Sequence, residues 1–192
     1  MLKKLYDWTL EKAMSPKAEK WLAGVSFAES SFFPIPIDLM MIPMILARPF
    51  HAFRLATITL VASVIGGMAG YLIGAFLFET IGQPIIDFYG YGDKFAAFQG
   101  HYKDYGILIV LVAGFTPLPF KVVTIASGVV GMNPLVFFAT SIPARGARFY
   151  LVAALLWKFG PPIRDFIEKR LGLVLTAFMA LGIAGFAALK YL

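Results

Sequence analysis

The sequence predicts an all-α integral membrane fold of two inverted repeats. Each repeat is a re-entrant helical hairpin followed by a transmembrane helix, with an N-terminal amphipathic helix before them and a C-terminal transmembrane helix after. Three observations lead there. Hydrophobic residues make up 59% of the 192-residue chain and charged residues 15%, with 19 phenylalanines, whereas soluble domains carry about a quarter charged residues. A core of this size cannot hide so much apolar surface, so lipid has to cover the remainder. Two apolar stretches are interrupted by the same element, Pro34-x-Pro36 and Pro117-x-Pro119. The net charge of +6 flanks apolar segments, which places it beside anionic lipid headgroups rather than on nucleic acid.

Residues 1–20 read as an amphipathic helix at the membrane surface, with Leu2, Leu5, Tyr6, Trp8 and Leu10 giving it apolar area and its lysines facing headgroups. They lack the uncharged apolar stretch of a cleavable signal. The run 21–33 spans about 20 Å as a helix, short of the roughly 30 Å hydrocarbon core. Pro34 and Pro36 then break it, and a second short piece, 39–47, stops at Arg48-Pro49. Two half-length pieces hinged by prolines predict a re-entrant hairpin over 21–47, the alternative being one kinked span. Irregular backbone at that depth must be wrapped by protein or a wet cavity.

The segment 55–78 is a full span, about 36 Å as a helix. Its Gly66, Gly70 and Gly74, preceded by Ala62, share one helix face and let another backbone approach, inside one protomer or across a homo-oligomer. Residues 79–106 read as an interfacial segment on the opposite side, and 107–132 as a second hairpin broken at Pro117 and Pro119. A second span, 135–159, carries Arg145 and Arg148 and ends at Gly160-Pro161-Pro162. A polar turn over 164–170 precedes the last span, 171–189. The excess of lysine and arginine on one set of loops predicts a cytoplasmic N-terminus.

Five charges lie in apolar surroundings: Glu29, Asp38, Lys121, Arg145 and Arg148. An ionised side chain at the bilayer centre costs about 2.5–3.5 kcal/mol on the insertion scale, so five unpaired ones rival the stability of a whole domain. They are therefore expected to converge. Arg145 and Arg148, three residues apart, share a helix face that is expected to look at the hairpin tips, where Asp38 and Lys121 sit. Two acids against three bases leave a positive surplus suited to a phosphate headgroup, which Arg binds bidentately. The expected substrate-binding set is thus Arg145, Arg148, Lys121 and Asp38. Burial favours the neutral form of an acid, which makes Glu29 and Asp38 the expected proton carriers. The alternative is that these charges only staple the hairpins together. Ser30, Ser31, Thr116, Thr124 and Ser127 either line the site or satisfy broken backbone.

The chain has no cysteine, and His51 and His101 stand in expected loops without metal-ligand spacing. Patterns such as HExxH, GxSxG, Walker A and GxGxxG are absent. Neither a metal, a cofactor nor an enzymatic activity is expected.

Glu29 followed by Pro34, Pro36 and Asp38 resembles the first hairpin of the DedA (VTT-domain, SNARE-associated) membrane proteins. Phe115-x-Pro117 with Lys121 resembles that family's second hairpin, whose motif is Phe-x-x-Arg-Phe-x-Pro-x-x-Arg. The resemblance covers residues 21–160, and Pro119-Phe120-Lys121 with the Arg145/Arg148 pair is most similar to the short YqaA-like branch. In this chain the first family arginine falls at Gly114 and the second is a lysine one position later. The resemblance implies a multi-pass transporter of the bacterial inner membrane, a flippase or scramblase for phospholipids or undecaprenyl phosphate, with proton coupling. The same charges without a lipid path would suit a proton-coupled ion or solute transporter, and without any ligand an envelope-assembly scaffold.

Overall fold

The computed structural model describes residues 17–33, 36–90, 92–116 and 119–188. The amphipathic segment expected over 1–20, and Pro34 and Pro117 of the two breaks, therefore lie wholly or mostly outside the described residues. All regular structure among the described residues is helical: α1 (Ala18–Ser31), α2 (Asp38–Ala47), α3 (Ala52–Leu77), α4 (Gln83–Tyr89), α5 (Gly92–Phe115), α6 (Phe120–Val129) and α7 (Pro134–Ala188). A 3₁₀ turn, Pro49–His51, leads into α3, and a π-helical turn, Phe78–Gly82, leads out of it. Pro49–Thr80 is long and apolar enough to cross a membrane, with a mean hydropathy of 2.0.

Contacts fix the directions of the helices. Glu19 meets Arg54, Ser26 meets Thr59, Ser30 meets Ser63 and Ser31 meets Gly66. These positions climb together, so α1 and α3 run parallel, and α2 between them has to run back. In the second half Tyr102 meets Ser127 and Gly114 meets Phe120, so α6 runs back along α5. Gly106 faces Met132, just before α7, and Gly114 faces Ala144, so α5 and α7 run parallel. Between the halves, Tyr71 pairs with Phe137, Ser63 with Arg145, Thr57 with Tyr150 and Phe53 with Trp157. Helices α3 and α7 are therefore antiparallel.

Helix α3 is the axis of the molecule, because its small face lets two other helices approach closely. A Cβ at Gly66 would collide with the Phe27 carbonyl of α1, one at Gly70 with Thr124, and one at Gly74 with the Ile125 carbonyl of α6. The glycine ladder thus packs against α1 and α6 of the same chain. The opposite face of α3, with Val61, Ile65, Leu72, Phe76 and Leu77, is exposed. Inside, serines, threonines and charges are buried alongside apolar residues; outside lie large apolar side chains. A soluble fold has the reverse pattern, and exposed apolar surface on this scale calls for lipid.

Three local expectations differ from the structure. The piece 107–114 is no separate half-helix but the end of α5, which starts at Gly92. The polar residues of 92–106 do not interrupt a helix, because α5 needs only its apolar contacts on one side, through Tyr102, Val110 and Ala113. His101 accordingly lies on α5 and not in a loop. The stop expected at 160–162 and the turn at 164–170 are also absent, since α7 continues to Ala188. Two adjacent prolines remove two backbone donors, and the remaining hydrogen bonds carry the helix past them. At its other end α7 starts where its sequence indicates, with the Asn133 Oδ1 accepting from the Leu135 and Val136 amides at 2.9 and 3.2 Å and Pro134 in the first turn.

Candidate functional site: a charged waist between two apolar clusters

Two hydrophobic clusters stand at opposite ends of the helical body. One is built from Leu22, Met41, Met44, Ile45, Leu55, Phe149 and neighbours; the other from Tyr71, Val110, Phe120, Val123 and Phe137. Between them runs a polar layer, level with Ser63 and Gly66 in the middle of α3. All five charges singled out from the sequence sit in or beside this layer.

Arg145 is its centre. Its Nη2 donates to Glu29 at 2.9 Å and its Nε to the Ser63 Oγ at 2.7 Å. The Ser30 hydroxyl donates to the same Glu29 oxygen at 3.1 Å and lies 2.7 Å from the Ser63 hydroxyl. The guanidinium is sandwiched between two rings, 4.8 Å from the Phe120 centroid and 4.5 Å from that of Phe149, an arrangement that adds cation–π attraction where water is excluded. Arg145 is 2% exposed.

Arg148, one turn further along, is seated differently. It pairs with Asp38 and donates to the Thr116 carbonyl, it is stacked on no ring among the described contacts, and its side chain is 12% exposed. Lys121 donates to the Phe33 carbonyl at 2.9 Å and is only partly buried. These two carbonyls occupy matching places: each immediately precedes the first proline of its break, Pro34 or Pro117. The last carbonyls of α1 and α5 have no intrahelical donor and gather the negative end of the helix dipole. A cation from the second half of the chain meets each of them, Lys121 at Phe33 and Arg148 at Thr116. Two of the three bases therefore serve partly as caps for broken helices, and the count of acids against bases overstates the charge left for a ligand.

The small polar residues fall mostly on backbone. Ser31 donates to the Phe27 and Gly66 carbonyls, each at 2.8 Å, and Thr124 to those of Ser30 and Lys121. Ser127 donates to the Val123 carbonyl, and Thr116 to that of Val112. Ser30 alone of the five joins the ion-pair network. Pro119 is extended and stands directly before α6, and Pro36 precedes the turn into α2. Among the described residues no three His, Cys, Asp or Glu side chains gather as a metal site would need.

Several participants escape a reading of the sequence alone. Ser63 and Thr59 extend the glycine ladder by the same three- and four-residue steps, so their inward orientation had a visible signal. The Phe120–Arg145–Phe149 sandwich and the Tyr102–Ser127 hydrogen bond of 2.7 Å had none, because each joins helices distant in sequence.

An apolar-surfaced helical body with an ion-paired polar waist defines a membrane protein. The family model for the VTT domain matches residues 35–158, and the chain belongs to this family, also called DedA. It is 42% identical over 168 residues to an uncharacterized protein of Haemophilus influenzae, covering 85% of this chain and 87% of that one. A homologous uncharacterized protein of Histophilus somni matches with the same identity and the same shares. No solved structure matches the chain significantly.

Proposed function

We propose that the chain carries lipids with an anionic phosphate headgroup across the bilayer of a bacterial inner membrane, acting as a flippase or scramblase and not as an enzyme. One observation carries this reading. Lys121, beside the polar layer between the two apolar clusters, is partly exposed, and the residues beside the two breaks, Phe32, Phe33, Leu39, Phe115 and Val122, are exposed and apolar. A cation at the bilayer centre costs about 2.5–3.5 kcal/mol unless an anion meets it. A lipid offers both the anion and the chains that such a surface accommodates, whereas a small ion or solute would leave the apolar side chains without a use.

The directions of the helices support reading α1–α2 and α5–α6 as re-entrant hairpins in two inverted repeats, the architecture that places transporter sites near the midplane. Lys20, Arg48, Arg54 and Lys158 lie toward the end that holds Trp21, Phe50 and Trp157, against Lys94 and Lys103 toward the other. That bias supports a cytoplasmic N-terminus. Glu29 and Asp38 are the acids available for proton coupling.

Vesicles containing the purified chain and a fluorescently labelled phosphatidylglycerol test the proposal. The expected result is faster exposure of inner-leaflet label to an external quencher than in empty vesicles. Equal rates in the two would reject lipid transport, and proton flux that depends on an added soluble solute would favour the solute carrier instead.

A further inference from the structure

The two arginines of the waist stand one helical turn apart, yet only one is seated like a permanent structural group. Arg145 has its guanidinium edges taken by Glu29 and Ser63 and its faces by Phe120 and Phe149. Arg148 has one carboxylate and one carbonyl. The carboxylate is Asp38, the first residue of α2, and Asp38 is the motif counterpart of Lys121 in the other half. A guanidinium binds a carboxylate and a phosphate through the same planar fork. An anion that replaced Asp38 on Arg148 would keep that fork satisfied and leave the Thr116 carbonyl capped.

We propose that Asp38 is an internal competitor for the headgroup: it occupies Arg148 in the unliganded chain, and a lipid phosphate exchanges with it there. This rests on the lipid reading above and assigns the seat within it. The exchange balances if Asp38 leaves as the neutral acid. One anionic phosphate and one proton from water enter together, the Asp38–Arg148 ion pair is broken, and a phosphate–Arg148 pair forms. Without that proton a lone carboxylate would remain at apolar depth, which is costly. The charged groups near Asp38 are Arg148 and Arg145 from α7, Glu29 from α1, tied to Arg145, and Lys121 from α6, tied to Phe33. Helix α3 contributes only Arg54, paired with Glu19 at the far end of α1.

The test uses the full chain in phosphatidylcholine nanodiscs, titrated calorimetrically with dihexanoyl phosphatidylglycerol, with dihexanoyl phosphatidylcholine and with inorganic phosphate. Asp38→Asn should bind the anionic lipid at least tenfold more tightly than the wild type, and without the proton uptake that wild-type binding shows across buffers. Asp38→Glu, which keeps a carboxylate, should bind as the wild type does, and Asp38→Asn combined with Arg148→Ala should lose the gain. Thermal unfolding of each variant separates binding from folding. Equal or weaker binding by Asp38→Asn at an unchanged unfolding midpoint would overturn the exchange while leaving lipid transport standing. No anionic lipid binding by the wild type or any folded variant would overturn both. Inorganic phosphate binding as tightly as the lipid would keep the exchange and reject the lipid as its source.

Discussion

Glu29–Arg145 and Asp38–Arg148 are two ion pairs between the same kinds of groups, on the same pair of chain regions, and they differ in almost everything else. The first is dry, stacked between rings and backed by two serines. The second is nearly as buried, its side chains 12% and 8% exposed against 2% and 10% for the first, but it has no ring or serine beside it among the described contacts and stands next to a break in the helix. Burying an ion pair costs desolvation that its attraction only just offsets, but removing one partner leaves the other stranded. A pair held by further serines and rings is therefore a point of failure for folding, while a pair with fewer partners has less to lose on exchanging one. The contrast motivates the proposal that the first serves structure and the second binding.

The largest expected effect comes from breaking the enclosed pair. Arg145→Ala leaves Glu29 without its partner and should cost about 3–5 kcal/mol of stability, read from unfolding in detergent micelles. Loss near that of Arg148→Ala would erase the distinction between the pairs. Next comes the packing that holds the pair in register. Gly74→Ala and Gly128→Ala each force a methyl against backbone of the neighbouring helix and should cost about 1–3 kcal/mol. Gly24, on the same α1 that carries Glu29, has nothing within 4 Å of an added Cβ. Gly24→Ala should then stabilise the chain by about 0.5–1 kcal/mol through helix propensity, and a loss there would show that α1 is more tightly surrounded than it looks. Tyr102→Phe removes the buried hydroxyl that meets Ser127 and the Val123 carbonyl and should cost about 1 kcal/mol. The smallest effect should follow Glu19→Ala, which removes a pair to an Arg54 that is 65% exposed and should change stability by no more than about 1 kcal/mol.

Much of this arrangement is legible in the sequence, for physical reasons specific to each element. Two prolines in three residues break a helix, so the breaks before α2 and α6 are readable from Pro34-x-Pro36 and Pro117-x-Pro119, whereas the single prolines Pro43 and Pro143 are carried inside α2 and α7. Charges in apolar runs have to meet, so their convergence follows from cost. The glycine ladder declares a close helix contact, though not with which partner. Register is what local pattern leaves undetermined. Glu29 and Arg145 are 116 positions apart, and their pairing is set by how α1 and α7 both seat on α3. The same holds for Phe120 and Phe149, whose rings close over Arg145 only once α6 and α7 are packed. Helix ends misled where polar residues or prolines stand inside a continuing helix, as in α5 and at Gly160-Pro161-Pro162.

The division of labour between the two sets of charges is tested most directly by measuring flipping of labelled phosphatidylglycerol and the unfolding midpoint on the same samples of Lys121→Ala and wild type. Lys121 contributes one hydrogen bond at a partly exposed site, so the midpoint should hardly move while the flipping rate falls at least tenfold. A wild-type rate in Lys121→Ala, or a rate that falls only in step with a lowered midpoint, would contradict the account.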